Sequence, residues 1–271
     1  MAALALLAWL GQPPPPATVR LAGDFDPEVA EEMGWGPLLE NEDACPLSLS
    51  VDGVHALDER EALLYGSLDA APGAYRSLLL RTDDGGASWS EVMAPMPGSA
   101  VLDVSFASPA RGVALVGWTV EGPGTLWAYG TEDGGRSWRR LAEIAKPHNL
   151  DQPVRLQCRD HRRCRVQLEC SDQSEGPGHL LETADGGHTW RPGKPAALPP
   201  LSDIAIATDG TAWQIAAAPD EGDVIQLLRR RRGEAAWTPL PSLPGGFWLT
   251  SRGELSACGA REQSRLTMGC E

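Results

Sequence analysis

The chain has 271 residues, of which 42% are apolar and 22% are charged, so it is long enough for one large domain or two small ones. Its formal net charge of -14 repels phosphate backbones and anionic membrane surfaces, which argues against nonspecific binding to either. The 30 glycines and 23 prolines indicate many turns between short strands.

The N-terminal region predicts an exported protein. Residues 2–11, AALALLAWLG, are too short to span a bilayer but have the length of a signal-peptide core. Basic residues, which a secretory signal should have, do not precede this core. Three interpretations are open: the basic residues lie upstream of Met1, the signal is weak, or the run is a disordered apolar tail. We assign residues 1–16 to a signal-like segment with a stiff proline-rich linker. No other segment is apolar enough for a membrane helix.

Residues 26–34, DPEVAEEMG, predict a short helix. Asp26 is a candidate N-cap, Pro27 suits the first helical position, and Gly34 suits the end.

A repeated box dominates the rest of the chain. TDDGGASW at 82–89 returns as TEDGGRSW at 131–138 and as TADGGHTW at 183–190. The closing tryptophans Trp89, Trp138 and Trp190 are 49 and 52 residues apart. A decayed fourth copy ends at Trp237, where Gly233 survives and Arg232 replaces the aspartate. Repeats of this length indicate stacked, similar structural units.

The segments ahead of each box alternate like β-strands, so each unit reads as four strands. Such a period predicts a five-bladed β-propeller over residues 17–271, in one domain. After Trp237 the chain offers three strands, in GGFWLTS, GELSACG and SRLTMGC. We expect an N-terminal strand at 35–39 to complete and close this last blade.

The recurring residues are expected to act locally. The box aspartate accepts backbone hydrogen bonds of its own turn, the glycine pair supplies unusual backbone angles, and the hydroxyl adds a local bond. The tryptophan then anchors the turn between strands. These structural positions are Thr82, Asp84, Gly85, Gly86, Ser88, Trp89, Thr131, Asp133, Gly134, Gly135, Ser137, Trp138, Thr183, Asp185, Gly186, Gly187, Thr189 and Trp190.

The three boxes resemble the Asp-box, or BNR, repeat of sialidases, sortilin-type propellers and photosystem II assembly factor propellers. The stretch LDVSFASPARGVALVG followed by TEDGGRSW is most similar to the last group. The resemblance covers roughly residues 35–271. It implies the propeller fold but does not select one function.

A sialidase-like enzyme is not favoured. The resemblance would require an arginine cluster, a tyrosine nucleophile and an Arg-Ile-Pro sequence, and that tripeptide is absent. Only Tyr65, Tyr75 and Tyr129 are available, and packing accounts for Tyr65 and Tyr129. The five histidines are scattered and are interpreted as surface or turn residues. The arginine run at 229–232 is interpreted as a solvated turn.

Six cysteines form an even set, which favours disulfides in an exported protein. Cys158 and Cys164 fall on two adjacent predicted strands and are the first expected pair; Cys258 with Cys270 is the second. A zinc site is the alternative, but no paired-cysteine knuckle exists and His161 lies inside the loop. We therefore assign no metal and no cofactor.

Charges are sorted between two faces of the predicted propeller. The box face, with the turns between first and second strands and the box turns, collects arginines such as Arg60, Arg111 and Arg136. The loop face, with the remaining loops, collects acids. The resemblance to photosystem factors implies partner binding through a basic patch, so this acidic face argues against that specific role. The candidate partner-binding residues on the loop face are Asp69, Glu121, Asp172, Glu175, Asp220, Glu221 and Asp223.

The sequence thus predicts a monomeric, exported, non-catalytic binding or assembly scaffold. Its acidic loop face would attract a basic segment of a protein partner or a divalent ion, although simple solvation of an acidic protein also explains those charges. The alternative function is a carbohydrate-active enzyme, a glycoside hydrolase or sialidase-like protein, with carboxylates in the central pocket.

Overall fold

The computed structural model describes residues 15–21, 47–70, 73–118, 125–145, 155–168, 179–193, 204–216, 224–249 and 255–257. Within these ranges the chain forms twenty β-strands and no helix. A membrane-crossing helix is likewise not found among these residues. The described protein is therefore all-β, as the abundance of turn-forming residues predicts.

Two four-stranded antiparallel meanders follow a short N-terminal strand, β1 (Thr18–Arg20). The first blade contains β2 (Leu47–Ala56), β3 (Ala62–Ala70), β4 (Gly73–Thr82) and β5 (Ser88–Glu91). The second blade contains β6 (Ser99–Phe106), β7 (Gly112–Trp118), β8 (Thr125–Thr131) and β9 (Arg139–Ala145).

The third and fourth blades repeat this order with shorter strands. The third contains β10 (Arg155–Cys158), β11 (Cys164–Leu168), β12 (His179–Thr183) and β13 (Arg191–Pro192). The fourth contains β14 (Ile204–Ile206), β15 (Ala212–Ala216), β16 (Val224–Arg230) and β17 (Thr238–Pro239), and β18 (Leu243–Pro244) also pairs with β16.

The four blades fan around their first strands. Strand β14 lies against β2, β2 against β6, and β6 against β10. The blades are therefore neighbours in the order fourth, first, second, third, which is a β-propeller-like arrangement. Among the described residues, the third and fourth blades share no interface of comparable extent.

Apolar layers between the blades follow from the strand sequences. Leu63 and Leu79 face the second blade, whereas Leu64 and Leu80 face the fourth, so the first blade is apolar on both sides. The second blade is also covered on both sides. In β11 only alternate residues are buried, with Val166 inside and Arg165 exposed, so the third blade has one apolar face.

Two terminal segments join the first blade. Strand β1 pairs in parallel with β5, a contact that the sequence analysis missed. GGFWLTS and GELSACG supply the hairpin of β19 (Gly246–Leu249) and β20 (Leu255–Ala257), as strands were predicted there. However, β19 pairs with β2, so the hairpin extends the first sheet to seven strands.

Several predicted features lie outside the described residues. These are the signal-like segment up to residue 14, the helix at 26–34, the closing strand at 35–39, the strand in SRLTMGC, and the Cys258 and Cys270 pair.

Candidate functional site

The three box turns share one hydrogen-bond network. The Asp84 carboxylate accepts hydrogen bonds from the backbone N–H of Ser88 at 2.9 Å and from its hydroxyl at 2.6 Å. The Thr82 hydroxyl donates to Asp84 at 2.9 Å and accepts from the Gly86 N–H at 3.0 Å. The same bonds are made by Asp133 with Ser137 and Thr131, and by Asp185 with Thr189 and Thr183.

A backbone bond ties each box to the turn between the first two strands of its own blade. The Gly134 N–H donates to the Ala110 carbonyl at 2.9 Å, and Gly134 has a φ of 74°. Gly85 and Gly186 make the equivalent bonds to Arg60 and Arg162. Because these positive φ angles are unfavourable for other residues, both glycines of each pair are required by the turn. Both kinds of turn therefore lie on the box face.

Each box also packs against a neighbouring blade. The backbone of Gly86 lies against Trp213 of the fourth blade, and that of Gly135 lies against Leu63 of the first. Gly187 similarly contacts Val113 of the second blade. The box is thus a joint between blades as well as a closed hairpin, which explains its recurrence.

The box tryptophans complete these joints. Their indole N–H groups donate to the carbonyl of the second box glycine at 3.2 Å in Trp89, 3.1 Å in Trp138 and 3.0 Å in Trp190. Trp89 is buried and stands edge-on to Trp213, with ring centroids 6.5 Å apart. The other two tryptophans are half-buried.

The local bonds keep the box carboxylates ionised. At Asp185 the Thr189 hydroxyl is the largest cause, and the pKa falls to about 2. At Asp133 loss of hydration acts in the opposite direction, but the hydroxyl and backbone N–H of Ser137 outweigh it and the pKa is also about 2. The pKa of Asp84 is lowered in the same way. Because their pKa values are lowered, these carboxylates stay ionised at neutral pH and are unsuited to proton transfer there.

A second polar cluster lies at the inner strands, and no local sequence motif predicts it. The Tyr65 hydroxyl of β3 passes over Gly53 of β2 and donates to Asp103 of β6 at 3.2 Å. The other Asp103 oxygen accepts the Leu156 N–H of β10 at 2.7 Å. A further bond comes from the Val104 N–H, at 2.7 Å. One carboxylate therefore links three blades.

The Asp103 carboxylate is electrostatically unusual. Loss of hydration raises its pKa to about 6, although hydrogen bonds from Leu156 and Val104 oppose the shift. Burial also raises the pKa of Tyr65, helped by the charge of Asp103. Asp52 and Arg155 lie within electrostatic range of the same tyrosine. Packing alone thus does not describe Tyr65, contrary to the sequence interpretation.

Asp69 represents the predicted partner-binding residues in the described part of the chain. It is half-buried at the end of β3 and accepts a 2.6 Å hydrogen bond from the Ser67 hydroxyl. Lost hydration and the Asp69 charge together raise the pKa of Asp52, so two acids lie near one another here. The other candidates, Glu121, Asp172, Glu175, Asp220, Glu221 and Asp223, lie outside the described residues.

Some arginines of the box face join neighbouring blades. Arg136 of the second blade contacts Glu61 at 2.9 Å and Asp83 at 3.2 Å, both in the first. Arg229 of the fourth blade donates to the Glu59 carbonyl at 2.6 Å and stacks on Trp213. The interpretation of 229–232 as a solvated turn is therefore wrong for Arg229, which belongs to β16 and reaches the first blade.

The structure contains the first expected disulfide, but one histidine does not lie where the sequence predicted. A disulfide joins Cys158 and Cys164, which are directly opposed on β10 and β11. His161 and His188 are exposed turn residues. His55 is instead half-buried on β2 and stacks on Phe106, and burial lowers its pKa to about 4, so the surface interpretation is wrong there. The described residues contain no group of His, Cys, Asp or Glu arranged to hold a metal ion.

Two cavities flank the third blade. One, of about 360 Å³, lies between the second and third blades at the box face and is lined by charges of both signs, including Arg111, Arg162 and Asp185. The other, of about 320 Å³, lies on the opposite side of the third blade and contains four arginines and one glutamate. Neither cavity includes Asp103.

The meandering blades and their repeated joints define a β-propeller-like protein. No protein-family model and no curated protein matches the sequence. Among solved structures, the chain is similar to YCF48 bound to D1 peptide, with 19% identity over 78% of this chain and 62% of that one and a TM-score of 0.38. It thus spans less than two thirds of the YCF48 chain.

Two glycoside hydrolases give similar matches. For the GH74 xyloglucanase from Xanthomonas campestris the identity is 20%, over 67% of this chain and 28% of that one, with a TM-score of 0.31. For the GH93 alpha-L-arabinofuranosidase of Fusarium graminearum the identity is 11%, over 76% and 68% of the two chains, with a TM-score of 0.36. Likeness at this level does not select a function.

Proposed function

We propose that the chain is a non-catalytic binding or assembly scaffold that recognises a protein partner through the loop face. The observation that carries this proposal is that four carboxylates in the described part of the chain have both oxygens hydrogen-bonded within the protein. Asp84, Asp133 and Asp185 each have both oxygens bonded within a turn, and both oxygens of Asp103 are bonded between blades. Such groups hold the framework and leave recognition to the loops.

The partner segment is proposed to be basic. The net charge of -14 and the acidic composition of the loop-face segments favour attraction of a cation. The proximity of Asp52 to Asp69 supports a negative potential at this end of the first blade. A divalent ion would be attracted by the same potential.

The complete ring is proposed to have five blades, with residues 35–39 closing the last one in a monomer. The box spacings of 49 and 52 residues and the strands that follow Trp237 support this count, whereas β19 itself adds to the sheet of the first blade. Export is supported by the disulfide, since such bonds persist mainly in oxidising compartments.

Binding of a lysine-rich peptide at low ionic strength tests the proposal. Replacing Asp220, Glu221 and Asp223 by their amides should weaken binding severalfold. The matched control replaces Glu132, Glu143 and Glu234, which are exposed box-face or outer-strand acids, by glutamine. Saturable binding lost only in the first variant supports the proposal. Absence of binding to wild-type protein, or equal weakening by both variants, contradicts it.

A carbohydrate-active enzyme is the second candidate, and one observation favours it. The pKa of about 6 at Asp103, beside the Tyr65 hydroxyl, suits a group that exchanges protons near neutral pH. Hydrolysis of aryl glycosides that Asp103→Asn abolishes without changing the melting temperature would support this candidate. Activity unchanged by Asp103→Asn would contradict it.

A further inference from the structure

The exposed face of the third blade carries a row of polar side chains across all four strands. Gln157, Arg165, Glu182 and Arg191 are direct cross-strand partners in that order. Directly opposed residues have neighbouring side chains on one face of a sheet. Since alternate residues such as Val166 point into the core beside the second blade, this row lies on the other face.

The row borders the cavity of about 320 Å³, whose charge is opposite to that of the whole chain. Its charged lining consists of Arg159, Arg163, Arg165 and Arg191 with Glu182 as the one acid. In a chain with a net charge of -14, four arginines in one small cavity form a local exception. All four arginines are exposed, and Arg159 and Arg163 lie on the turn between β10 and β11 at the box face, so the cavity opens at that face whether or not a further blade covers the rest of the row.

One acid of the lining and one nearby acid leave much of this positive charge uncompensated. Arg165 contacts Glu182 through Nε at 2.9 Å, and Arg163 contacts Asp160 through Nε at 2.9 Å. Within the described part of the chain, the guanidinium groups of Arg159 and Arg191 make no hydrogen bond and no ion pair. Guanidinium groups present paired N–H donors that match the oxygens of phosphate.

We propose that this cavity, the arginine cavity of the third blade, binds the phosphate group of a small molecule. A phosphate dianion fits the excess of positive lining charge better than a single carboxylate does, and it has enough oxygens to engage several arginines. A volume of about 320 Å³ admits a phosphate monoester of a small organic molecule. The site is separate from the proposed partner-binding loop face.

Titration calorimetry of the whole chain with inorganic phosphate and with glucose 6-phosphate, at low ionic strength, tests the site. Both should bind saturably, and tighter binding of glucose 6-phosphate would identify an ester as the ligand, whereas equal binding would identify free phosphate. Unphosphorylated glucose should not bind. Absence of saturable binding by both phosphates overturns the proposal.

Charge variants locate the binding. The double variant Arg159→Gln with Arg191→Gln should weaken phosphate binding roughly ten-fold or more. Glu182→Gln should tighten it, because the cavity then loses its acid. Arg60→Gln removes an exposed arginine of the first blade as a control and should change affinity less than about two-fold. The assignment is contradicted if Arg60→Gln weakens phosphate binding as much as the double variant does. It is also contradicted if Glu182→Gln weakens phosphate binding while the melting temperature stays unchanged.

Discussion

The Nη1 group of Arg81 donates a 2.6 Å hydrogen bond to the carbonyl oxygen of Gly134, so a side chain of the first blade holds the box turn of the second. Its Nη2 group contacts Glu61 at 2.8 Å and Asp83 at 2.6 Å. Arg136 binds the same two acids from the other side. The junction between these blades therefore depends on a buried cation with two compensating acids.

Replacing Arg81 should destabilise this junction strongly. Arg81 is 3% exposed, and Arg81→Met would leave the Gly134 carbonyl without its donor and the two acids with Arg136 alone, lowering the free energy of unfolding by about 3 kcal/mol. Urea denaturation measures the change. Arg139→Gln removes an exposed arginine 3.7 Å from Glu132 and should change the value by less than about 0.5 kcal/mol. Similar effects of the two variants would show that the junction does not depend on Arg81.

Removing a box carboxylate should loosen its turn. Asp133→Ala leaves the Ser137 N–H and the Thr131 hydroxyl without their acceptor, and the expected loss of unfolding free energy is about 2 kcal/mol. Glu132→Gln, a change at the adjacent exposed residue, serves as the control. A loss with Asp133→Ala no greater than that with Glu132→Gln would contradict the structural role of the box.

Protonation of His55 should make the protein less stable in mild acid. Its folded pKa is about 4, below the ordinary value of 6.5, so the unfolded chain takes up the proton first and stability falls as the pH drops from 6.5 towards 4. At pH 5 the loss should be roughly 1 to 2 kcal/mol. His55→Phe preserves a ring against Phe106 and should remove that part of the dependence.

Comparing urea unfolding at pH 7 and pH 5 in wild type and His55→Phe measures this effect. Asp103 acts in the opposite direction, because its raised pKa of about 6 means that stability increases as the pH falls from 6 towards 4. The difference between the two proteins isolates His55. An identical pH dependence in both would refute the assignment.

The cross-strand disulfide should stabilise the third blade modestly. Cys158 and Cys164 are six residues apart, so the bond closes a short loop and contributes about 2 kcal/mol. Changing both cysteines to serine should lower the free energy of unfolding, measured by urea denaturation, by that amount. Reduction of wild-type protein should give a similar loss, whereas an unchanged midpoint in both experiments would contradict this contribution.

The local features of the molecule were predictable from sequence, because their signals lie within a few residues. The box geometry around Asp84, the strand pairs and the bond between Cys158 and Cys164 follow from short motifs and alternation. The polar cluster of Tyr65 and Asp103 was not predictable, because 38 residues separate its members and no motif marks either one. Arg229 was misread for the same reason, since its partner Glu59 lies 170 residues away.

The order of the blades also depends on distant contacts. A local repeat indicates how many similar units exist but not which units touch after the chain folds. The packing of Trp213 against the first blade and the parallel pairing of β1 with β5 became visible only in the structure.

The pairing of β19 with β2 has a consequence during translation. The second blade is built from consecutive hairpins and can assemble while the ribosome is still making the rest of the chain. By contrast, Leu47 of the first blade pairs with Phe247, two hundred positions later. The sheet of the first blade is therefore incomplete until that residue has been made. A nascent polypeptide would therefore expose that inner edge until the residues of β19 have been made, and a chaperone would be most useful during this interval.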